Sequence, residues 1–343
     1  MIRINLALQG GGAHGAFTWG VLEALLGDEG IEIAAISGTS AGALNGAALK
    51  AGLAQGGREG AKASLARLWD EVASLNEVAM LEWMKPFLPI AAAWADAAEA
   101  VFPVSPAGVA AQFFTPYSMG RMWTNPLEGI VRRLDFSKVC ADDGPVLFVG
   151  ATNVRNGRVK VFSGAEITPE ALMASTCLPT LFQAVEIVDP ATGVTEAYWD
   201  GGYVANPPLH PLYHPALPDD IVIVSVNPLR RETVPRTPIA IQDRINEISF
   251  NASILSDLRA VAFVRRLIAD GRMPKGAMKE VLIHRIADDI LMEALDGLTK
   301  LTPMASFLER LRVAGQVAGA QFLTDHRADL NQRGTVDLGG LYA

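Results

Sequence analysis

Ile36-Ser37-Gly38-Thr39-Ser40-Ala41-Gly42-Ala43 contains Gly-x-Ser-x-Gly, the spacing of a nucleophile elbow. Upstream, Glu32-Ile33-Ala34-Ala35-Ile36 has the composition of a short buried strand, and downstream Ala41 to Ala51 is rich in helix formers. Ser40 is therefore predicted at a strand-to-helix turn. Its hydroxyl would project over a helix N-terminus, where free N–H groups and the helix dipole favour developing negative charge. Gly38 and Gly42 supply the lack of side-chain bulk that such a turn requires. Taken alone, the motif is equally readable as a turn of small residues.

The stretch before it narrows the reading. Ile2 to Leu8 alternates and then runs apolar, as a strand entering a parallel sheet does. Phe17, Val21, Leu22, Leu25 and Leu26 then recur at helical spacing up to Gly27. Gln9-Gly10-Gly11-Gly12-Ala13-His14-Gly15 links the two, so strand, glycine loop, helix, strand and elbow follow within ~40 residues as one βαβ unit. The loop also satisfies the G-x-G-x-x-G spacing of dinucleotide folds, with Glu32 standing in for the ribose acid. Against that, the next strand leads into Gly38-Thr39-Ser40, which a nucleotide site leaves unexplained. A phosphate-binding P-loop would need Gly-Lys-Ser/Thr, which does not follow.

Farther along, the pattern from Arg58 to Trp94 is mostly helical. Met80 to Met122, with Trp83, Phe87, Trp94, Phe102, Phe113, Phe114, Tyr117 and several prolines, reads either as packed core or as an irregular apolar cap over a pocket. As a cap it would offer a greasy entrance and peripheral contact with a membrane. Pro145 to Thr152 and Val159 to Phe162 predict a hairpin around Asn156-Gly157, and Thr168-Pro169-Glu170 caps a short helix. Ala197-Tyr198-Trp199-Asp200-Gly201-Gly202 puts an acid at a strand end against two glycines. Ile221 to Val226 is the last clear sheet strand, followed by helices over Ile239 to Ala269 and Thr302 to His326. The expected division is a core over 1–230, with a cap-like segment at 80–122, and a helical extension over 231–343 packed on it.

Composition limits the partners. In 343 residues, 50% are hydrophobic and 19% charged, which is globular and apolar for its size, and the net charge of -8 argues against nucleic acid. Cys140 and Cys177 are too few for a disulfide framework and lack metal-ligand spacing, so neither a metal nor a cofactor is expected. Met1 to Leu8 has no secretory h-region, and Ala100 to Gly120 is broken by Pro103, Pro106 and Pro116. The expectation is a cytoplasmic protein without a membrane span.

Gly10-Gly11-Gly12, Gly38-Thr39-Ser40-Ala41-Gly42 and Asp200-Gly201-Gly202 stand in that order. With Ala-Ser-x-x-x-Pro-x-x-Phe at Ala174 to Phe182 and Asn206-Pro207-Pro208, they resemble the patatin-like acyl hydrolases over about residues 4 to 227. The resemblance implies a three-layer α/β/α sandwich around a mostly parallel sheet and cleavage of carboxylic esters of lipids. It makes Ser40 the nucleophile, Asp200 its base, and Gly10, Gly11, Gly12 and Ala13 the oxyanion hole, with Gly201 and Gly202 in support. Where the family often has Asp before the glycines and Arg or Lys at the fifth position, this chain has Gln9 and His14. An acyltransferase or thioesterase using the same serine, and a catalytically silent lipid-binding protein, stay open. So does a triad drawing on His210, His214, His284 or His326, although each of these reads better as a surface or capping residue, and His14 as structural. Asp200 itself could simply cap its two glycines.

Overall fold

The strand read at Ile2 to Leu8 is β1 (Ile2–Leu8), and α1 (Gly15–Gly27), β2 (Ile31–Thr39) and α2 (Ala41–Ser74) follow it as the spacing predicts. α2 is two helices joined at a kink, where Gly56 and Gly57 leave helical geometry. The computed structural model describes residues 1–75, 115–118 and 125–340, apart from 191, 275 and 296. The apolar segment 80–122, read above as a cap, lies outside the described residues except for 115–118.

Among the described residues the sheet has eight strands. Five run parallel in the order β3 (Val146–Asn153), β2, β1, β7 (Asp220–Val224) and β8 (Leu282–Ile286). β3 pairs antiparallel with β4 (Val159–Ser163) across the predicted Asn156-Gly157 turn, and with β6 (Thr195–Asp200), beyond which lies β5 (Val185–Val188). Between β3 and β5 the chain makes the short helix α3 (Pro169–Ser175), whose N-cap Thr168 accepts the Ala171 N–H at 3.2 Å.

β1 carries one core on each face. Ile4, Leu6 and Leu8 pack with α1, α2 and α5 (Ala305–His326). Ala7, with Ile221 and Ile223 of β7, meets Ile254, Leu258 and Val261 of α4 (Pro238–Ala269). This is the three-layer α/β/α arrangement. The connections run from β1 outward through β2 to β3 and then return to β7 on the other side of β1, so the topological switch lies between β1 and β7. In such sheets the crevice at the carboxyl ends of the strands there is the usual place for a ligand.

The C-terminal stretch, expected to be helical, also extends the sheet. β8 pairs with β7, Val222 opposite His284. The run around His284 is strand-like in sequence, but nothing in it shows that it joins the sheet beside β7. Nor is His284 a surface residue as expected: it is fully buried, with Nε2 2.9 Å from Asp220 Oδ1 and Nδ1 3.2 Å from Thr335 Oγ1. A partnered imidazole can occupy a core position that its polarity would otherwise forbid.

α5 lies against α1 with almost no side-chain thickness between them. A Cβ on Gly20 would collide with the Arg312 carbonyl, and one on Gly315 with the Phe17 carbonyl. Backbone cannot move aside as a side chain can, so Gly315→Val is expected to lower the free energy of unfolding by at least about 2 kcal/mol. Gly27→Ala, which has open space around it, should cost less than about 0.5 kcal/mol. Urea midpoints that do not separate the two variants would contradict this close packing.

Candidate active site

The loop after β1, the turn after β2 and the turn after β6 meet at the carboxyl edge of the sheet. Ser40 connects β2 to α2 with φ 54 and ψ -127, one of two non-glycine residues at positive φ among the described residues. Such strain in a non-glycine residue persists only where its surroundings enforce it. Here the Ser40 N–H donates to Ser175 Oγ at 2.9 Å, while that hydroxyl donates to the Gly150 carbonyl at 2.7 Å. β3 and α3 thereby hold the turn from outside. Gly38 and Gly42 let it close, because a Cβ on Gly42 would strike the Leu8 carbonyl and one on Gly38 would stand 2.7 Å from the Gly42 carbonyl carbon. Although Ser40 is the N-cap of α2, its hydroxyl makes no capping bond. An N-cap serine ordinarily spends its oxygen on the N2 or N3 amide; this one keeps it free.

Asp200 ends β6 and is 1% exposed. Oδ1 accepts the Gly202 N–H at 2.7 Å, as a turn aspartate would. Oδ2 is buried and makes no hydrogen bond of ordinary length. Burial pushes the carboxyl pKa up to about 7, against the opposing pull of the Gly202 N–H and of the neighbouring Ser40 hydroxyl. Ser40 is thus close enough to act on the charge of Asp200.

The glycine loop runs directly against this pair. A Cβ at Gly10 would stand 2.6 Å from Ser40 Cβ, and Gly12 sits at φ +57 under the Lys300 carbonyl, so neither position accepts a side chain. Gly10 departs from its expected role: its N–H donates to Asn206 Oδ1 at 2.6 Å, so it has no hydrogen left for an oxyanion. The N–H groups of Gly11, Gly12 and Ala13 donate to no other described residue, and these three residues line the same cavity as Ser40 and Asp200. That cavity offers about 170 Å³ to water-sized contents and is open to solvent. Its walls are apolar, Leu44, Val72, Leu127, Leu181, Phe182 and Phe250 among them.

The two departures in the loop acquire definite jobs. Gln9 Oε1 accepts the N–H groups of Val226 and Asn227 at 3.1 and 3.2 Å, tying β1 to the end of β7. His14 lies 2.7 Å from Thr299 Oγ1, and burial together with the charge of Lys300 lowers its pKa to about 3, so it is neutral. None of the five histidines lines the cavity: His210 and His214 are exposed, and His326 reaches Asp329 at the end of α5. Asn206, Asn227, Ser175 and Lys300 are the residues that motif reading left without a role. Asn206 and Ser175 fell within matched motifs, whereas Asn227 and Lys300 carried no signal at all. Among the described residues, no group of His, Cys, Asp and Glu could hold a metal ion, and no helix is long and apolar enough to cross a membrane.

A mostly parallel α/β/α sheet with a strained serine, a buried aspartate and a glycine loop at one edge is the architecture of a patatin-type protein. The chain belongs to the patatin-like phospholipase family, whose sequence model matches residues 6–213. The family acts on lipids as acyl hydrolases. Among solved structures, the chain is similar to VipD from Legionella pneumophila, with 15% identity and a TM-score of 0.42 over 95% of this chain and 67% of that one. No curated protein matches.

A buried carboxyl whose folded pKa stands near 7, against about 3.9 unfolded, holds its proton longer in the folded state. Its contribution to stability is full below about pH 4 and is lost as the pH rises through 7, a swing of at most about 4 kcal/mol. Asp200→Asn should therefore raise the thermal midpoint relative to wild type at pH 8, and the gain should shrink at pH 5. An equal difference at both pH values would mean that Asp200 is not ionising in a dry site.

Proposed function

We propose that this chain hydrolyses carboxylic esters of lipids through Ser40 and Asp200, with the N–H groups of Gly11, Gly12 and Ala13 receiving the oxyanion. One observation carries the reading: a serine hydroxyl spared from capping neighbours a buried carboxylate oxygen that has no other partner. A serine alcohol is nearly inert until a base takes its proton. A carboxylate with a pKa near 7 is a far better base than an ordinary aspartate and is still largely ionised above neutrality.

As Ser40 Oγ attacks the carbonyl carbon, its proton passes to Asp200 Oδ2, and the electron pair of the C=O moves onto oxygen. The three unpartnered N–H groups meet that oxygen, a contribution typically of ~3 kcal/mol per donor. Collapse of the intermediate breaks the C–O bond to the alcohol, which leaves with the proton from Asp200, and an acyl group remains on Ser40. Water then attacks the acyl carbon, giving its proton to Asp200, and the same collapse releases the acid and returns the proton to Ser40. The apolar cavity suits a fatty acyl chain, which gains from leaving water roughly in proportion to the surface it buries.

Ser40→Ala and Asp200→Asn should each lower turnover of a chromogenic acyl ester by at least about a thousandfold, with circular dichroism unchanged. In the wild type, kcat/KM should climb with pH as a single ionisation near 7. A fluorophosphonate should label Ser40. Retained turnover in either variant, or labelling elsewhere, would overturn these roles.

A further inference from the structure

Lys300 lies outside the stretch that matches the family, in the turn that precedes α5, yet it lines the cavity. The turn meets the glycine loop at two points, where Thr299 faces His14 and the Lys300 carbonyl covers Gly12, and Gly297 anchors it to α4 by donating to Asp243 Oδ2 at 2.9 Å. The Lys300 ammonium donates to Asn227 Oδ1 at 2.7 Å. Asn227 is 1% exposed, and its Nδ2 donates to the Gly10 carbonyl at 2.9 Å.

We propose that Lys300 is a positioning residue for the oxyanion hole: through Asn227 it fixes the peptide plane between Gly10 and Gly11, and so the direction of the Gly11 N–H. The inference rests on the hydrolase reading above, since it gives that N–H a purpose.

The chain of causes is short. An ammonium has three donors and no acceptor, so the amide of Asn227 must turn its oxygen toward Lys300 and its NH₂ toward Gly10. The bond from Gly10 to Gly11 is a trans peptide, in which the carbonyl of one residue and the N–H of the next are coplanar and opposed. Holding the Gly10 oxygen therefore aims the Gly11 hydrogen. Glycine on both sides leaves this plane otherwise easy to rotate. Asn206 Nδ2 also reaches the Gly10 oxygen, at 3.3 Å, so losing one of the two amide bonds should loosen the plane without freeing it. Burial lowers the Lys300 pKa, and the charges of Glu247 and Asp243 oppose that shift while Arg231 adds to it.

The experiment compares kcat, KM and thermal midpoint on a chromogenic acyl ester for the wild type, Lys300→Met, Lys300→Arg and Asn227→Asp. Lys300→Met removes the donor and should lower kcat about tenfold while KM moves less than about threefold, because the defect lies in the transition state. Lys300→Arg restores a donor and should recover most of the loss. Asn227→Asp keeps an acceptor for Lys300 but loses the donor to Gly10, and should match Lys300→Met. A folded Lys300→Met with kcat within twofold of wild type overturns the proposal. So does an Asn227→Asp protein that is as active as wild type, or a set in which neither variant folds, since the role is then purely structural. A wild type without turnover is a different result: it removes the hydrolase reading, and the positioning role with it.

Discussion

Everything at the carboxyl edge of the sheet depends on how closely the loop after β1 approaches Ser40. No side chain fits at position 10, and the next three residues line the cavity with N–H groups that donate to no described residue. The approach is set by β1 and β2 being neighbours in register, Leu8 opposite Gly38, so that the ends of the two strands discharge into the same space. It is then held by buried amides. Asn206 takes the Gly10 N–H, Asn227 and Asn206 take its carbonyl, and Gln9 ties the start of the loop to the end of β7. A buried polar network is worth having only when its members are satisfied, and each of these amides has hydrogen-bond partners.

The same edge concentrates what the fold would be more stable without. Ser40 is held at positive φ, Asp200 keeps an oxygen in the dark without a partner, and burial lowers the pKa of Lys300. Each costs stability, and each is tolerated because the surrounding layers over-determine it: β3 and α3 clamp the serine turn, Gly202 takes one oxygen of the aspartate, and Asn227 takes the lysine. The dryness that raises the carboxyl pKa is also what the proposed base chemistry would draw on, so the energetic penalty and that chemistry would have one origin.

Gln9 and His14 show how charge can leave a motif while its geometry stays. Gln9 organises backbone N–H groups by accepting them, and His14 stays neutral under burial and beside Lys300. Positive charge near the loop comes instead from residue 300, delivered by a turn distant in sequence. The residues beyond 230 are accordingly part of the sheet and of the cavity wall, through β8 and through Lys300, Leu301 and Pro303.

The local sequence determined whatever depends on a few neighbouring residues. The βαβ start, the Gly-x-Ser-x-Gly turn, the Asn156-Gly157 hairpin and the helices over α4 and α5 were all legible, because periodicity, capping and glycine act at short range. The family resemblance was legible for the same reason, being written in short motifs in a fixed order. Tertiary structure alone decided the rest. β8 joins the sheet because β7 offers an edge and Asp220 a partner for His284, conditions absent from its own five residues. Whether Oδ2 of Asp200 is starved of partners, whether the Gly10 N–H is already spoken for, and which lysine stands at the loop all depend on groups about 160 to 290 residues apart, judged from the numbering. Burial and pairing at that separation are properties of the packed chain, and no local pattern encodes them.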